Sequence, residues 1–368
     1  MKTWKRTTAA AAVALMASAA LAACGDAPDE DKKGSAKSDF LPCIVSDAGG
    51  FDDKSFNQLS YEGLKDAAKE LGTDYKDVQS KTDQDYAPNL ENLVGQGCDL
   101  IVTVGFALSA ATIESAKANP EIEYVLIDDA ADGGADGKTF DGKADAPNIK
   151  PILYDTAQAA FLAGYAAADY TKTGTVGTYG GQPFPTVTIF MDGFKQGVDY
   201  YNQQKGKDVK LIGWEGNDKG VFTGGFDANE KATNTAKSIL DKNADVILPV
   251  GGPIYQGALT AIEDSGKDVA LVGVDADFYE TDPKTQALVL TSILKNMKTS
   301  TIEAVVAAGE GNFDPTPYVG TLENDGVGIA PFHNFESKVS PTLQSELDTV
   351  KAGIIDGTIP VTSYLNQK

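Results

Sequence analysis

The 368-residue sequence holds one histidine and three cysteines, and it sets 31 lysines and arginines against 53 aspartates and glutamates. The single histidine, His333, removes the usual basis for a Ser-His-Asp hydrolase or a histidine-built metal centre. No G-x-S-x-G turn, Walker lysine loop or zinc-type cysteine spacing occurs in the chain. The abundance of acids leaves a two-carboxylate hydrolase as the one catalytic class open. No motif singles out such a pair, so the chain reads as a binder without cofactor or metal. The shortage of cations gives a formal net charge of −22. That charge disfavours nucleic acid and anionic lipid surfaces.

Long apolar runs are also scarce. Thr7 to Ala20 is Ala-rich and too short to span a bilayer, and no later run approaches the ~20 residues a membrane helix needs. Residues 1–23 read as a targeting segment with Lys2, Lys5 and Arg6 as its basic start. Leu21-Ala22-Ala23-Cys24 resembles a lipobox, which makes Cys24 the lipid-bearing first residue of the mature chain. An ordinary secretory signal with an incidental cysteine is the alternative. Residues 24–39 are polar and read as a flexible tether. The expected location is therefore the outer face of the plasma membrane, anchored by lipid alone.

What the chain has in quantity is alternation. Short apolar runs and helical segments follow one another steadily, the pattern of an α/β protein with parallel sheets. A first series runs to Tyr170, with strands at 41–45, 74–78, 100–104, 123–127 and 149–154. At 171–174 the pattern restarts, with strands at 175–179, 209–213, 246–249 and 270–274. A returning tail adds strands at 288–295 and 327–330. Cys43 opens the first strand and Cys98 precedes the third. In a doubly wound sheet these strands are neighbours about 4.8 Å apart. A Cys43–Cys98 disulfide is the expectation, with two buried free thiols as the alternative.

Ligands of open α/β sheets bind at the carboxyl ends of the strands. The first such turn is Ser46-Asp47-Ala48-Gly49-Gly50-Phe51-Asp52-Asp53-Lys54-Ser55-Phe56-Asn57-Gln58. A phosphate site would want cations and bare N–H groups there. Three carboxylates against one lysine favour a neutral polar ligand. Asp52 and Asp53 read as capping, solvent-facing acids. The other strand ends offer Gly105, Phe106 and Asp128 in the first series, and Phe184, Phe226, Gly252 and Asp275 in the second. Lys295 ends the returning strand.

The stretch DAGGFDDKSFNQ followed by YEGL resembles the opening signature of the basic membrane protein family. The likeness continues through Gly105-Phe106, FLAGYAAA from Phe161, GGQPFPTV from Gly180, GVDAD from Gly273 and TSILKN from Thr291. The resemblance implies a two-lobed type I periplasmic-binding-protein fold whose chain crosses between lobes three times. It places the crossings near Thr171, Asp282 and 314–319. The lobes are then 40–171 with 283–314, and 172–282 with 315–368.

It also implies a monomeric receptor that captures a nucleoside and delivers it to the permease of an ABC importer. Phe56 and Phe226 are the expected stacking pair, with Phe184 in reserve. Asp275 is expected on the sugar hydroxyls with Lys295 beside it. Asn57, Asp47 and Asp128 are expected on the base, which the resemblance implies is a purine, while the residues alone leave purine against pyrimidine open. A sugar or signalling ligand on the same fold, or a surface lipoprotein without a transporter, are the alternatives.

Overall fold

The computed structural model describes residues 39–132, 143–217 and 219–366. The targeting segment, Cys24 and the tether up to residue 38 lie outside the described residues. In chain order the elements begin with β1 (Pro42–Ser46), α1 (Phe56–Leu71), β2 (Lys76–Gln79), α2 (Tyr86–Gly95), β3 (Leu100–Val104), α3 (Ser109–Ala118), β4 (Glu123–Ile127) and β5 (Ile149–Tyr154). There follow α4 (Thr156–Tyr170), β6 (Thr175–Gly180), α5 (Pro185–Lys205), β7 (Lys210–Ile212), β8 (Trp214–Gly216), β9 (Lys219–Gly220) and α6 (Glu230–Leu240). The rest is β10 (Val246–Val250), α7 (Tyr255–Ser265), β11 (Ala270–Asp275), α8 (Phe278–Thr281), β12 (Val289–Lys295), α9 (Met297–Gly309), β13 (Tyr318–Gly320), β14 (Val327–Ile329) and α10 (Leu343–Ile355).

Two sheets result. The first runs β13-β5-β4-β3-β1-β2 and the second β14-β12-β11-β10-β6-β7. Every pairing in them is parallel except β12 with β14. The inner strands Cys43-Ile44-Val45, Leu100–Val104 and Val246–Val250 are buried along their length. Such continuous burial is what a sheet covered on both faces demands of its residues. Cys43 and Cys98 are joined as a disulfide, with Cα atoms 5.9 Å apart.

The lobe boundaries differ from the expectation. Strand 289–295, expected in the first lobe, pairs with β11 in the second sheet. Strand 318–320, expected in the second lobe, pairs with β5 in the first. Helix α4, expected in the first lobe, packs on α5, β12 and β14 of the second. Helix α9 returns to the first lobe, against α1. The crossings therefore fall at Asp155, at Asn296 and in 321–326, and Asp282 lies within the second lobe rather than at a crossing.

The cause is the composition of α4. Its stretch Ala157 to Ala168 is buried almost all round, so it has no solvated face to lie on a lobe's exterior. Glycines complete the contact. A Cβ on Gly197 of α5 would stand 2.0 Å from the Phe161 carbonyl oxygen, and one on Gly164 of α4 would stand 2.1 Å from that of Phe194. The two helices touch backbone to backbone, and the FLAGYAAA stretch of α4 and the glycines Gly193 and Gly197 of α5 serve this packing.

Candidate functional site

The carboxyl ends of both sheets face one cavity of about 640 Å³. All eleven ligand candidates read from the sequence line it: Asp47, Phe56, Asn57, Gly105, Phe106 and Asp128 from the first lobe, and Phe184, Phe226, Gly252, Asp275 and Lys295 from the second.

The turn after β1 is built from carboxylates that bind its own backbone. Asp53 Oδ1 accepts from the N–H groups of Ser55 (3.0 Å) and Gln58 (3.1 Å), and its Oδ2 accepts from that of Asn57 (2.8 Å). Asp53 thus caps α1 from two residues before the N-cap position, Ser55. It is buried, against the expectation of a solvent-facing acid, because the helix start lies under the other lobe. Burial pushes its carboxyl up to about 6 despite these bonds. Asp47 Oδ1 accepts from Gly49 N (2.9 Å) and Asn57 Nδ2 (2.8 Å). Burial raises its carboxyl too. Gly105, at φ 110, leaves room for this acid, since a Cβ there would come within 2.8 Å of Asp47 Oδ2.

Asn57 has less freedom than its side chain offers on paper. Its amide also donates to Asp53 Oδ2 at 3.1 Å. Both donors are thereby committed to carboxylates, which fixes the amide's orientation. The remaining oxygen, Oδ1, is buried and accepts no hydrogen bond from the described residues.

Lys295 joins the lobes. Its Nζ lies 2.6 Å from Asp128 Oδ2 of the first lobe and 3.7 Å from Asp275 Oδ1 of the second. The ammonium also stands over the rings of Phe190 (4.9 Å), Phe56 (5.4 Å) and Tyr154 (5.8 Å). All three charged groups are buried. Asp128 directly follows β4 and Asp275 ends β11, and each adopts a positive φ, 67° for Asp128 and 66° for Asp275. This turns both carboxylates from their strands toward the same ammonium. Burial raises Asp128, with Lys295 working in the opposite direction. Burial likewise pushes Asp275 up to about 6, again opposed by Lys295 and reinforced by the Asp128 charge.

The aromatic rings are arranged differently from the expected Phe56–Phe226 pair. Phe106 stacks on Phe184 across the lobes at 5.0 Å between centroids and 30° between planes. Phe226 lies 5.9 Å from Phe184. These rings form one run, while Phe56 sits under Lys295. The cause is helix geometry: α5 begins at Pro185, one residue after Phe184, and aims that ring across the cleft.

Other lining residues escaped the sequence reading, among them Asp53, Tyr86, Gln182, Thr186 and Phe190. Thr186 and Phe190 stand four apart on one face of α5, a spacing that identifies a shared face. Tyr86 lies beyond the end of β2, an exposed polar strand with no apolar run to flag it. His333 is not among the lining residues.

Residues 41–363 match the family described as ABC transporter substrate-binding protein, PnrA-like. The ABC transporter nucleoside-binding protein BmpA of Lactococcus lactis is 29% identical, covering 98% of this chain and 99% of that one. The CD4+ T-cell-stimulating antigen of Listeria monocytogenes is 30% identical, covering 97% and 98%. Among solved structures, an ABC transporter solute-binding protein of Aeropyrum pernix superposes with a TM-score of 0.75 at 25% identity, covering 87% of this chain and 92% of that one. The paired parallel sheets, the cavity between their carboxyl ends and this full-length likeness place the chain in the Bmp family of PnrA-like ABC transporter substrate-binding proteins.

Proposed function

We propose that the protein captures a nucleoside in the cavity between its lobes and hands it to an ABC importer, while tethered to the outer face of the membrane through a lipid on Cys24. The observation that carries the nucleoside reading is the polarity of the cavity. Asp47, Asp53, Asp128 and Asp275 line it with acceptor oxygens, Asn57 offers another, and Lys295, the one buried cation among the described residues, is already paired. Such a site selects a neutral ligand rich in donors with a flat apolar part. Ribose hydroxyls donate to Asp275 and Asp128. A ring N–H or exocyclic amine donates to Asn57 Oδ1 or Asp47. The base packs against the phenylalanine rings, a gain of about 1–3 kcal/mol per stack.

The same polarity disfavours nucleotides. A phosphate charge about 4 Å from one of these carboxylates costs on the order of 4 kcal/mol at an effective dielectric of 20. Uptake by an importer calls for micromolar or tighter binding, about −8 kcal/mol. One stacked base with several charge-assisted hydrogen bonds supplies that.

The test is a thermal-shift series with adenosine, guanosine, inosine, cytidine, their 5′-monophosphates, free bases and ribose. A ligand that binds the folded state raises the melting temperature by mass action. A rise with nucleosides, and none with ribose or monophosphates, is the expected result. A rise with sugars alone would replace the nucleoside by a sugar. For the anchor, Cys24→Ala should move the protein from the membrane fraction to the soluble one.

A further inference from the structure

Ser55 does not line the cavity, yet its side chain crosses from one lobe to the other. It is fully buried. Its Oγ lies 3.0 Å from the Val274 carbonyl oxygen and 3.2 Å from Asp275 Oδ2, both at the end of β11 in the second lobe. Its own backbone N–H donates to Asp53 Oδ1, so its place is set by the cap of α1 in the first lobe. A serine hydroxyl carries one proton, which it shares between these two oxygens.

We propose that Ser55 is a positioning residue for Asp275: it docks the start of α1 on the end of β11 and holds the Asp275 carboxylate in the orientation it presents to the cavity. Asp275 has little else to fix it. Its Oδ1 is buried without a hydrogen-bond partner among the described residues. Lys295 stands 3.7 Å from that oxygen and is committed to Asp128 at 2.6 Å. The backbone at Asp275 is in the left-handed region, where an acid is tolerated and not favoured. Among the described residues, Ser55 therefore supplies the one hydrogen bond that sets this carboxylate.

The two partners sit on different lobes, so the orientation is complete only when the lobes meet. The second lobe by itself does not offer a finished acceptor. Ligand capture and lobe contact then reinforce one another, because the ligand draws on a group that contact has aligned.

The proposal takes Asp275 as a ligand group from the nucleoside reading, but one arm of its test needs no ligand. In that arm, Ser55→Ala without ligand should give a larger radius of gyration by small-angle X-ray scattering and faster amide exchange at residues 274–276. In the second arm, the variant should bind inosine about fivefold more weakly, the loss of one hydrogen bond. The dissociation rate should carry the change. Ser55→Cys, a donor of similar size and lesser strength, should fall between. In an Asp275→Ala background, Ser55→Ala should cost less than twofold further.

Unchanged scattering and exchange in Ser55→Ala would overturn the docking role. A full fivefold loss in the Asp275→Ala background would overturn the positioning role. If the unaltered protein binds no inosine, the nucleoside reading fails by itself, and the ligand-free arm still decides for or against Ser55.

Discussion

Replacing Lys295 by methionine removes a buried charge while keeping most of the side chain's length against Phe56, Phe190 and Tyr154. The ammonium is 2.6 Å from one buried carboxylate and 3.7 Å from another. At an effective dielectric of 20 each contact is on the order of 5 kcal/mol. Several kcal/mol of desolvation for each ion offset much of this. Removing one partner of such a group typically costs 3–5 kcal/mol, because the acids are left uncompensated.

The variant can escape by protonating one acid of the pair, Asp128 or Asp275, and the cost of that escape depends on pH. A carboxyl with an unfolded pKa of about 3.9 is protonated at a cost of about 5.6 kcal/mol at pH 8 and about 1.5 kcal/mol at pH 5. These carboxyls have folded values raised above the unfolded ones. Their penalty is fully present above the folded pKa and vanishes below the unfolded one. Lys295→Met should therefore lose about 3–5 kcal/mol at pH 8 and about 1–2 kcal/mol at pH 5. Urea denaturation at both pH values, followed through the fluorescence of the buried Trp214 in the second lobe, measures it. A loss under about 1 kcal/mol at pH 8, or equal losses at the two pH values, would refute the reasoning.

Other outcomes follow from the same geometry. Asp275→Ala should weaken nucleoside binding at least about tenfold, from the loss of a charged hydrogen bond of ~1.5–3 kcal/mol, and calorimetric titration would show it. Gly197→Ala puts a Cβ 2.0 Å from a backbone oxygen of α4, so it should lower the melting temperature well beyond an ordinary helix Gly→Ala change; a neutral or raised melting temperature would contradict the backbone contact. The Cys43–Cys98 bridge spans 55 residues of chain, so replacing both by alanine should cost about 2–4 kcal/mol in urea. Mass spectrometry without reduction should find the two peptides linked.

The strand framework was legible in the sequence for a plain reason. Strands such as Leu100–Val104 and Glu123–Ile127 are short apolar runs bounded by glycine, aspartate or proline, and parallel strands buried on both faces need nothing else. The strand ends then gathered the eleven ligand candidates at one edge, and the edges of both sheets meet.

Partnership was not legible. Periodicity shows which face of a helix is buried, not which lobe buries it, and so α4 was misassigned. Its lack of any polar face was the available signal. Strand Tyr318–Gly320 is three residues long beside two prolines and gives no run to read. The burial of Asp53 and the pairing of Phe106 with Phe184 depend on how one lobe lies on the other, which no local pattern encodes. Membership of a substrate-binding family agrees with the reading of the chain as a binder rather than an enzyme.

Lys295 is the last residue of β12, and the chain passes to the other lobe at the next position. A group so near a crossing has a short lever arm when the lobes turn, and its distance to a partner across the gap changes little for a given rotation. In such a turn the Asp128–Lys295 pair would serve as a pivot pin. A solute arriving at the open mouth then meets Asp128 with its countercharge already seated, while Asp275 takes its final orientation as the lobes meet.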